Sequence, residues 1–493
     1  METEVVKKTT VNTKNQYETE LNEWVELEKA AIELIHITGS LWFDKSVELI
    51  LFRNQLVDRS SSEILNLHHY AKNVVKKPIN VKDTLLLAKE MQKLDLAPSR
   101  IDIGRLGAEW IAEKENYKTA SAFLIDKLSG FIGREKLKMI PRDVVLYGFG
   151  RIGRLIAREL IAQAGKGEQL RLRAIVTRNN SDLDIGKRAE LLRSDSVHGP
   201  FPGTVIEDLE NKSLVVNGHT IHMIAASDPE AIDYGQYGIR EALVIDNTGV
   251  VRDRAGLGKH LLSKGVSKVL LTAPGKGDIP NVVFGVNEAS LKAGEKIFSA
   301  ASCTTNAIVP IVKVMNDVVG IEGGHIETIH AYTNDQNLLD NYHKKYRRGR
   351  SAAMNMVITE TGAAKAVSKV LPELEGKLTG NAVRVPVPDV SLAILNLTLK
   401  KNITKDEVNE ILRDAALQGA LVEQIQYSFS NEVVSSDLIG NPCACIVDSP
   451  ATIVSPDGKS VVLYVWYDNE YGYSRQVVRF AKHIAEVIRL RYY

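Results

Sequence analysis

A chain of 493 residues, 44% hydrophobic and 25% charged, has the composition of a globular protein of two or three domains. Its 62 Lys and Arg almost cancel 61 Asp and Glu, which excludes the global basic field that nucleic-acid binding uses. Three Cys exclude a disulfide framework and point to a reducing cytoplasm, while no apolar run approaches the roughly 20 residues of a membrane span.

The opening METEVVKKTTVNTKNQ is polar, lacks the apolar core of a signal peptide, and reads as a disordered tip. From Tyr17 the apolar residues Leu21, Trp24, Val25, Leu27 and Ile32 recur at helical spacing. A second helical stretch carries Leu41, Val47, Leu49, Ile50, Leu51 and Leu56; a third runs through Leu65, Tyr70 and Val74. After Pro78 and Asp83 come Leu85, Leu86, Leu87, Met91 and Leu94, then Trp110 with Ile111, and Phe123, Leu124, Leu128 and Phe131. Residues 1–140 are therefore predicted to form an all-α N-terminal domain. The adjacent His68 and His69 would point about 100° apart on a helix, so they read as a solvated surface pair and not as metal ligands.

Pro141 marks a break in composition. The apolar run VVLY leads into Gly148, Gly150, Arg151, Ile152 and Gly153, and then into an amphipathic helical pattern. Glycines so placed allow a tight turn, close approach of backbone to a pyrophosphate, and tight helix-on-strand packing. A Rossmann-type cofactor domain follows from this strand, turn and helix. The next strand, LRLRAIVT, ends at Thr177 and Arg178 with no carboxylate at its tip. An arginine there can accept a ribose 2′-phosphate, so the cofactor is read as NADP, or as NAD and NADP alike. The strand-like runs 241–250 and 267–274 continue the α/β alternation and place Thr248 and Thr272 in loops at the carboxyl edge of the sheet.

The run KIFSAAS then reaches Ser302-Cys303-Thr304-Thr305-Asn306 and a helical pattern with Val309, Val312, Val314 and Met315. Cys303 thus stands near a helix N-terminus, where unpaired amides and the dipole favour a thiolate. His330 closes the strand-like ETIHAYTND, and a cysteine with a distant histidine is the pairing that makes an activated nucleophile. Cys443 and Cys445 form a C-x-C without further ligands, so they read as buried strand thiols, and no metal set is assigned.

YGFGRIGR, ASCTTN, the His330 segment, TGAAKAVSKVLPELEGKLTG, RVPVPDVS and WYDNEYGYS resemble, in order and spacing, the motifs of the glyceraldehyde-3-phosphate dehydrogenase family. The resemblance covers about residues 142–493 and leaves the first 140 without counterpart. It implies a cofactor domain over 141–302 completed by 468–493, and an α+β catalytic domain over 303–467. It makes Cys303 the nucleophile and His330 the general base of an aldehyde oxidation through a thioester, which inorganic phosphate then cleaves. It implies Thr333 and Arg384 for the substrate phosphate. For the attacking phosphate it implies Ser302, Thr304, Thr361, Gly362 and Arg348, with Arg347 and Arg350 as rivals to Arg348. Asn469 resembles the residue that orients the nicotinamide carboxamide, and Tyr473 would wall that pocket. A homotetramer acting in glycolysis or gluconeogenesis comes with the family.

Departures accompany the match. Tyr147 replaces a usual Asn, Thr177 replaces a ribose-binding acid, Asn341-Tyr342 replaces a Leu-Pro pair, and Ala307 stands where many members have a second Cys. DQNLLDNYH resembles the erythrose-4-phosphate dehydrogenase branch, in which water cleaves the thioester. That branch and a non-catalytic regulatory protein on the same scaffold are the alternatives. The N-terminal helices suggest an oligomer arm, a lid or a module for a protein partner.

Overall fold

The computed structural model describes residues 13–73 and 75–493; residues 1–12 of the polar tip and Val74 lie outside them, while Thr13–Gln16, expected to be disordered, begin the first helix. The chain divides into two compact units, Met1–Lys138 with Arg489–Tyr493, and Met139–Ile488.

The N-terminal unit is not all-helical. It has long helices, Thr13–Lys45, Ser61–Asn73, Val81–Lys93 and Ile103–Glu113, and also a four-stranded sheet. Val47–Leu51 lies at its heart, parallel to Ser99–Asp102, which in turn pairs in parallel with the chain's last strand, Leu490–Tyr492. The reason is legible after the fact. VELIL is a five-residue run buried along its whole length, apolar but for Glu48, which Arg100 and Arg489 pair; it is too short for a helix and bounded by positive-φ Ser46, Phe52 and Arg53. Asp102 holds the turn, accepting the amides of Phe52, Gly104 and Arg105. Leu34, Leu49, Ile64, Leu87, Ile101 and Phe123 are fully buried in the core, each contributing about 1.5–3 kcal/mol. His68 corrects the sequence reading: it is buried, bonding Ile64 O and Thr84 Oγ1 at 2.8 and 2.9 Å, while His69 alone meets solvent.

In the second unit, eight strands form one sheet in the spatial order Ile297–Ser299, Val266–Leu271, Ala242–Asp246, Arg142–Tyr147, Leu170–Thr177, His219–Ala225, Ser213–Val216, Val205–Asp208. The first six are parallel, as the βαβ alternation requires, and the last two fold back as hairpins. The order in which strands are added reverses between Ala242–Asp246 and Arg142–Tyr147, and this switch opens a crevice at their carboxyl ends. The helix Tyr471–Ile484 packs Val477, Val478, Phe480 and Ala481 into the same core as Ile156, Ala157 and Leu160 of the helix Arg151–Ala162.

A second, mostly antiparallel sheet holds Ile321–Ala331, Leu378–Val385, Ser391–Leu399 and Ser460–Tyr467 at its centre. The helix Cys303–Val318 packs on it through Ile308, Ile311, Val312 and Met315. Among the described residues, no helix is long and apolar enough to cross a membrane.

Candidate active site

The chain turns sharply between the strand Ile297–Ser299 and the helix Cys303–Val318. Ala301 takes a φ of 55°, a left-handed value unusual for a residue with a Cβ. Side chains hold it there: Asn306 Nδ2 donates to Ala300 O and Ser302 O at 2.8 and 3.0 Å, and Ser302 Oγ accepts the Thr305 amide at 3.1 Å. Cys303 is the first helical residue, with its thiol facing a cavity of about 480 Å³.

His330 enters from the end of Ile321–Ala331. Its Nε2 stands 3.6 Å from Cys303 Sγ, and its Nδ1 is 2.7 Å from Ala331 O. With Nδ1–H on that carbonyl, the Nε2 lone pair faces the thiol; Arg384 Nη1, 2.9 Å from the same Nδ1, competes for that nitrogen as a donor. Parallel pairing sets Arg384 directly beside His330, and Arg384 also donates to Ala331 O and Thr333 Oγ1 at 2.8 and 3.3 Å. Arg384 Nε is buried and has no protein partner, so one donor of the fork remains unspent.

The electrostatics differ from the thiolate expected at a helix N-terminus. Burial pushes the Cys303 thiol up, outweighing the Thr304 hydroxyl and the Arg384 charge, which pull it down. Burial, and then the Arg384 charge, lowers His330 to about 3. Both shifts favour the neutral thiol–imidazole pair.

The same cavity is lined by Ser302, Thr304, Thr361, Gly362 and Arg348, expected together for one phosphate, and by Arg384, expected with Thr333 for the other. Thr333 stands behind Arg384 and does not face the space. Of the three neighbouring arginines, Arg348 is the one in the cavity; it pairs with Asp335 and donates Nε to Thr359 Oγ1 at 3.1 Å. Arg350 is held 2.7 Å from Asp340 and Arg347 is exposed. Lys365 and Lys369, one turn apart on the helix Ala363–Val370, also line the cavity and were not singled out from sequence. Their i, i+4 spacing beside Thr361-Gly362 was the available signal.

A second cavity, about 600 Å³, lies at the sheet's switch point and is lined by Gly148, Gly150, Thr177, Arg178 and Thr248. Gly148 has φ +93°, and a Cβ on Gly153 would lie 2.5 Å from Gly148 O, so the strand–turn–helix closes only with glycine at these positions. The helix Arg151–Ala162 begins at Gly150 with no side-chain cap, and a Cβ on Gly150 would meet nothing within 4 Å. An uncapped helix N-terminus under open space fits a dinucleotide pyrophosphate. The Arg151 side chain does not serve this cavity: it is spent on Glu470 and Asp195, the latter at 2.7 Å. Ile152 packs into the core, and Thr272 bonds back to Asp246 O. Tyr147, Arg188, Asp246 and His260 line the cavity and were not read as cofactor residues. Asn469 and Tyr473 do not line it. Tyr473 donates to Ala301 O at 3.0 Å, and Asn469 Oδ1 accepts from Ser391 Oγ at 2.6 Å. Cys443 and Cys445 are buried free thiols.

A dinucleotide crevice ahead of a thiol–imidazole pair is the construction of a nicotinamide-dependent oxidoreductase. Residues 142–254 match the family model for the glyceraldehyde 3-phosphate dehydrogenase NAD binding domain, and residues 302–469 match that for its C-terminal domain. The chain belongs to the glyceraldehyde-3-phosphate dehydrogenase family. A glyceraldehyde-3-phosphate dehydrogenase-like protein of Pseudomonas aeruginosa is 50% identical over 92% of this chain and 98% of its own length. Glyceraldehyde-3-phosphate dehydrogenase of Priestia megaterium is 44% identical over 69% of this chain and 96% of its own, and glyceraldehyde-3-phosphate dehydrogenase 1 of Bacillus subtilis is 43% identical over 70% and 98%. The Pseudomonas match aligns 457 residues, more than the region after Pro141 contains. The N-terminal unit therefore has a counterpart, which the motif-based resemblance did not supply.

Proposed function

We propose that the protein catalyses the reversible oxidation and phosphorylation of glyceraldehyde 3-phosphate to 1,3-bisphosphoglycerate, with NAD or NADP. One observation carries this reading: Cys303 Sγ stands 3.6 Å from His330 Nε2 in a cavity that also holds Arg348 and Arg384. His330 takes the thiol proton at Nε2 while Nδ1 stays on Ala331 O, and the sulfur bonds to the aldehyde carbon. The resulting oxyanion has the Cys303 amide and protonated His330 as donors. A bound nicotinamide would accept the hydride that leaves this carbon, so the acyl group remains on sulfur as a thioester. An oxygen of inorganic phosphate then attacks the acyl carbon, the C–S bond breaks, and the thiolate is returned. Arg384, backed by Thr333, binds the substrate phosphate; Ser302, Thr304, Thr361, Gly362 and Arg348 bind the attacking one.

Residues 141–302, completed by the C-terminal helix, would carry the cofactor, and 303–467 the chemistry. Arg178 and Arg188 both line the cavity at the switch point, and the strand tip lacks a carboxylate there, which supports NADP alongside NAD. Exposed Leu338, Leu339, Tyr342, Tyr346, Met354 and Met356 form an apolar loop region that a family-type homotetramer would cover. A soluble cytoplasmic enzyme of glycolysis or gluconeogenesis fits these features. The exposed Tyr17, Leu21 and Trp24 on the first helix suit a protein partner or a subunit contact.

Steady-state rates with glyceraldehyde 3-phosphate, measured with NAD and with NADP, each with and without inorganic phosphate, test the proposal. Phosphate-dependent turnover is expected. Full activity without phosphate would assign the thioester to water, and no turnover with any combination would leave a binding protein on this scaffold.

A further inference from the structure

Away from both cavities, the fold gathers three ligand-type side chains from distant parts of the chain. His198 lies between the short strands Ser194–Asp195 and Gly199–Pro200. Asp389 lies two residues ahead of the strand Ser391–Leu399, and Asp468 directly follows Ser460–Tyr467. Those two strands are antiparallel neighbours with Ser391 opposite Tyr467, so their register alone brings the two acids together. A ring nitrogen of His198 and one oxygen from each carboxylate lie within 4.8 Å of one another.

The cluster is closed to solvent and short of donors. The side chains of His198 and Asp389 are 5% and 0% exposed, and Asp468 is buried. Neither Asp389 oxygen has a hydrogen-bond donor, and His198 Nδ1 has no partner. Asp468 differs: its oxygens accept the amides of Gly440, Glu470 and Tyr471, an environment made for a charged carboxylate. Arg151, which shares Glu470 with His198, is already matched by Glu470 and Asp195. Asp389 thus points its carboxyl at a second carboxylate in a dry site, which costs several kcal/mol unless a shared proton or a cation lies between them.

We infer that His198, Asp389 and Asp468 bind a divalent transition-metal cation of the zinc type. One imidazole nitrogen with carboxylate oxygens suits zinc or manganese and not the all-oxygen shells of calcium or magnesium. His198 Nε2 is 3.5 Å from Asp389 Oδ2, close to the ~3.4 Å edge of a tetrahedron with ~2.1 Å bonds. Glu470 Oε2, 3.1 Å from the same nitrogen, flanks the remaining side. The cation would be a positioning element. Asp468 precedes Asn469, and Asp389 stands two residues before Ser391, whose hydroxyl holds the Asn469 amide. The site stands independently of the reaction proposed above.

The full-length protein, stripped by chelator and dialysed, is titrated with Zn²⁺, with Mg²⁺ as control, reading metal content by mass spectrometry and Tm by calorimetry. About one Zn²⁺ per chain, a Tm raised by Zn²⁺ and not by Mg²⁺, and retention of both in Cys303→Ser are expected. Asp389→Asn and His198→Gln should each weaken Zn²⁺ uptake by about 100-fold. Absence of Zn²⁺ uptake by the wild-type chain at micromolar metal overturns the inference without reference to any variant. Uptake undiminished in folded Asp389→Asn, or lost in Cys303→Ser, also overturns it by moving the ion elsewhere.

Discussion

Ser391 Oγ donates to Asn469 Oδ1 at 2.6 Å and itself accepts the Ala331 amide at 3.1 Å. One hydroxyl therefore joins the residue after His330 to the residue assigned to the nicotinamide amide. Replacing it, Ser391→Ala, leaves two buried polar groups short of a partner, at about 1–3 kcal/mol. A lower Tm and a several-fold rise in the cofactor KM are expected, read by calorimetry and initial rates.

Cys303→Ser should abolish oxidation, because an alcohol beside a neutral imidazole is a far weaker nucleophile than a thiol. His330→Gln should leave folding intact and lower kcat by about 10²- to 10⁴-fold. Stopped-flow rates, together with alkylation of Cys303 by iodoacetamide, distinguish loss of the nucleophile from loss of its base.

The pH dependence follows from the two shifts. His330 is lowered from 6.5 to about 3 in the fold, so the unfolded chain takes up this proton first. Its contribution to stability is whole above about pH 6.5 and is lost as pH falls toward 3. Between these limits the Tm of His330→Gln should fall less with acid than that of the wild type. Because burial raises Cys303, its alkylation rate should climb with pH through and beyond the ordinary thiol range near ~8.5. A plateau reached already in mild acid would contradict this.

Arg384 and Arg348 are expected to separate by substrate. Charge-assisted hydrogen bonds contribute about 1.5–3 kcal/mol, or roughly 10- to 100-fold in KM. Arg384→Ala should raise KM for the phosphorylated aldehyde, and Arg348→Ala should raise KM for inorganic phosphate. Arg348→Ala also frees Asp335, so its effect should be the more salt-sensitive of the two.

Gly153→Ala tests the dinucleotide turn. The added Cβ would stand 2.5 Å from Gly148 O, a backbone atom that cannot swing aside. Destabilisation of about 1–3 kcal/mol and weakened binding of either cofactor are expected, measured by denaturant unfolding and fluorescence titration.

Much of the site was legible because its residues sit in short contiguous motifs. Gly148 to Gly153 and Ser302 to Asn306 each carry strand, turn and helix in one stretch, so local backbone chemistry identifies them. Arg348 was harder, since three arginines share one loop, and only burial, with Thr359 and Asp335 beside it, distinguishes it from Arg347 and Arg350. The strand Val47–Leu51 was misread because a short run buried on both faces, its Glu48 included, has no period to betray it. Its partners, Ser99–Asp102 and Leu490–Tyr492, lie tens to hundreds of residues away.

Residue order alone determined the glycine-rich turn, the cysteine at its helix start and the alternation that builds a parallel sheet. These are local matters of φ, capping and periodicity, settled within about ten residues. Tertiary packing alone decided the protonation of the Cys303–His330 pair, the ion pairs that hold Arg151, and the meeting of His198 with Asp389 and Asp468. Desolvation and charge pairing depend on what folds over a group, and neighbours in space need not be neighbours in the chain.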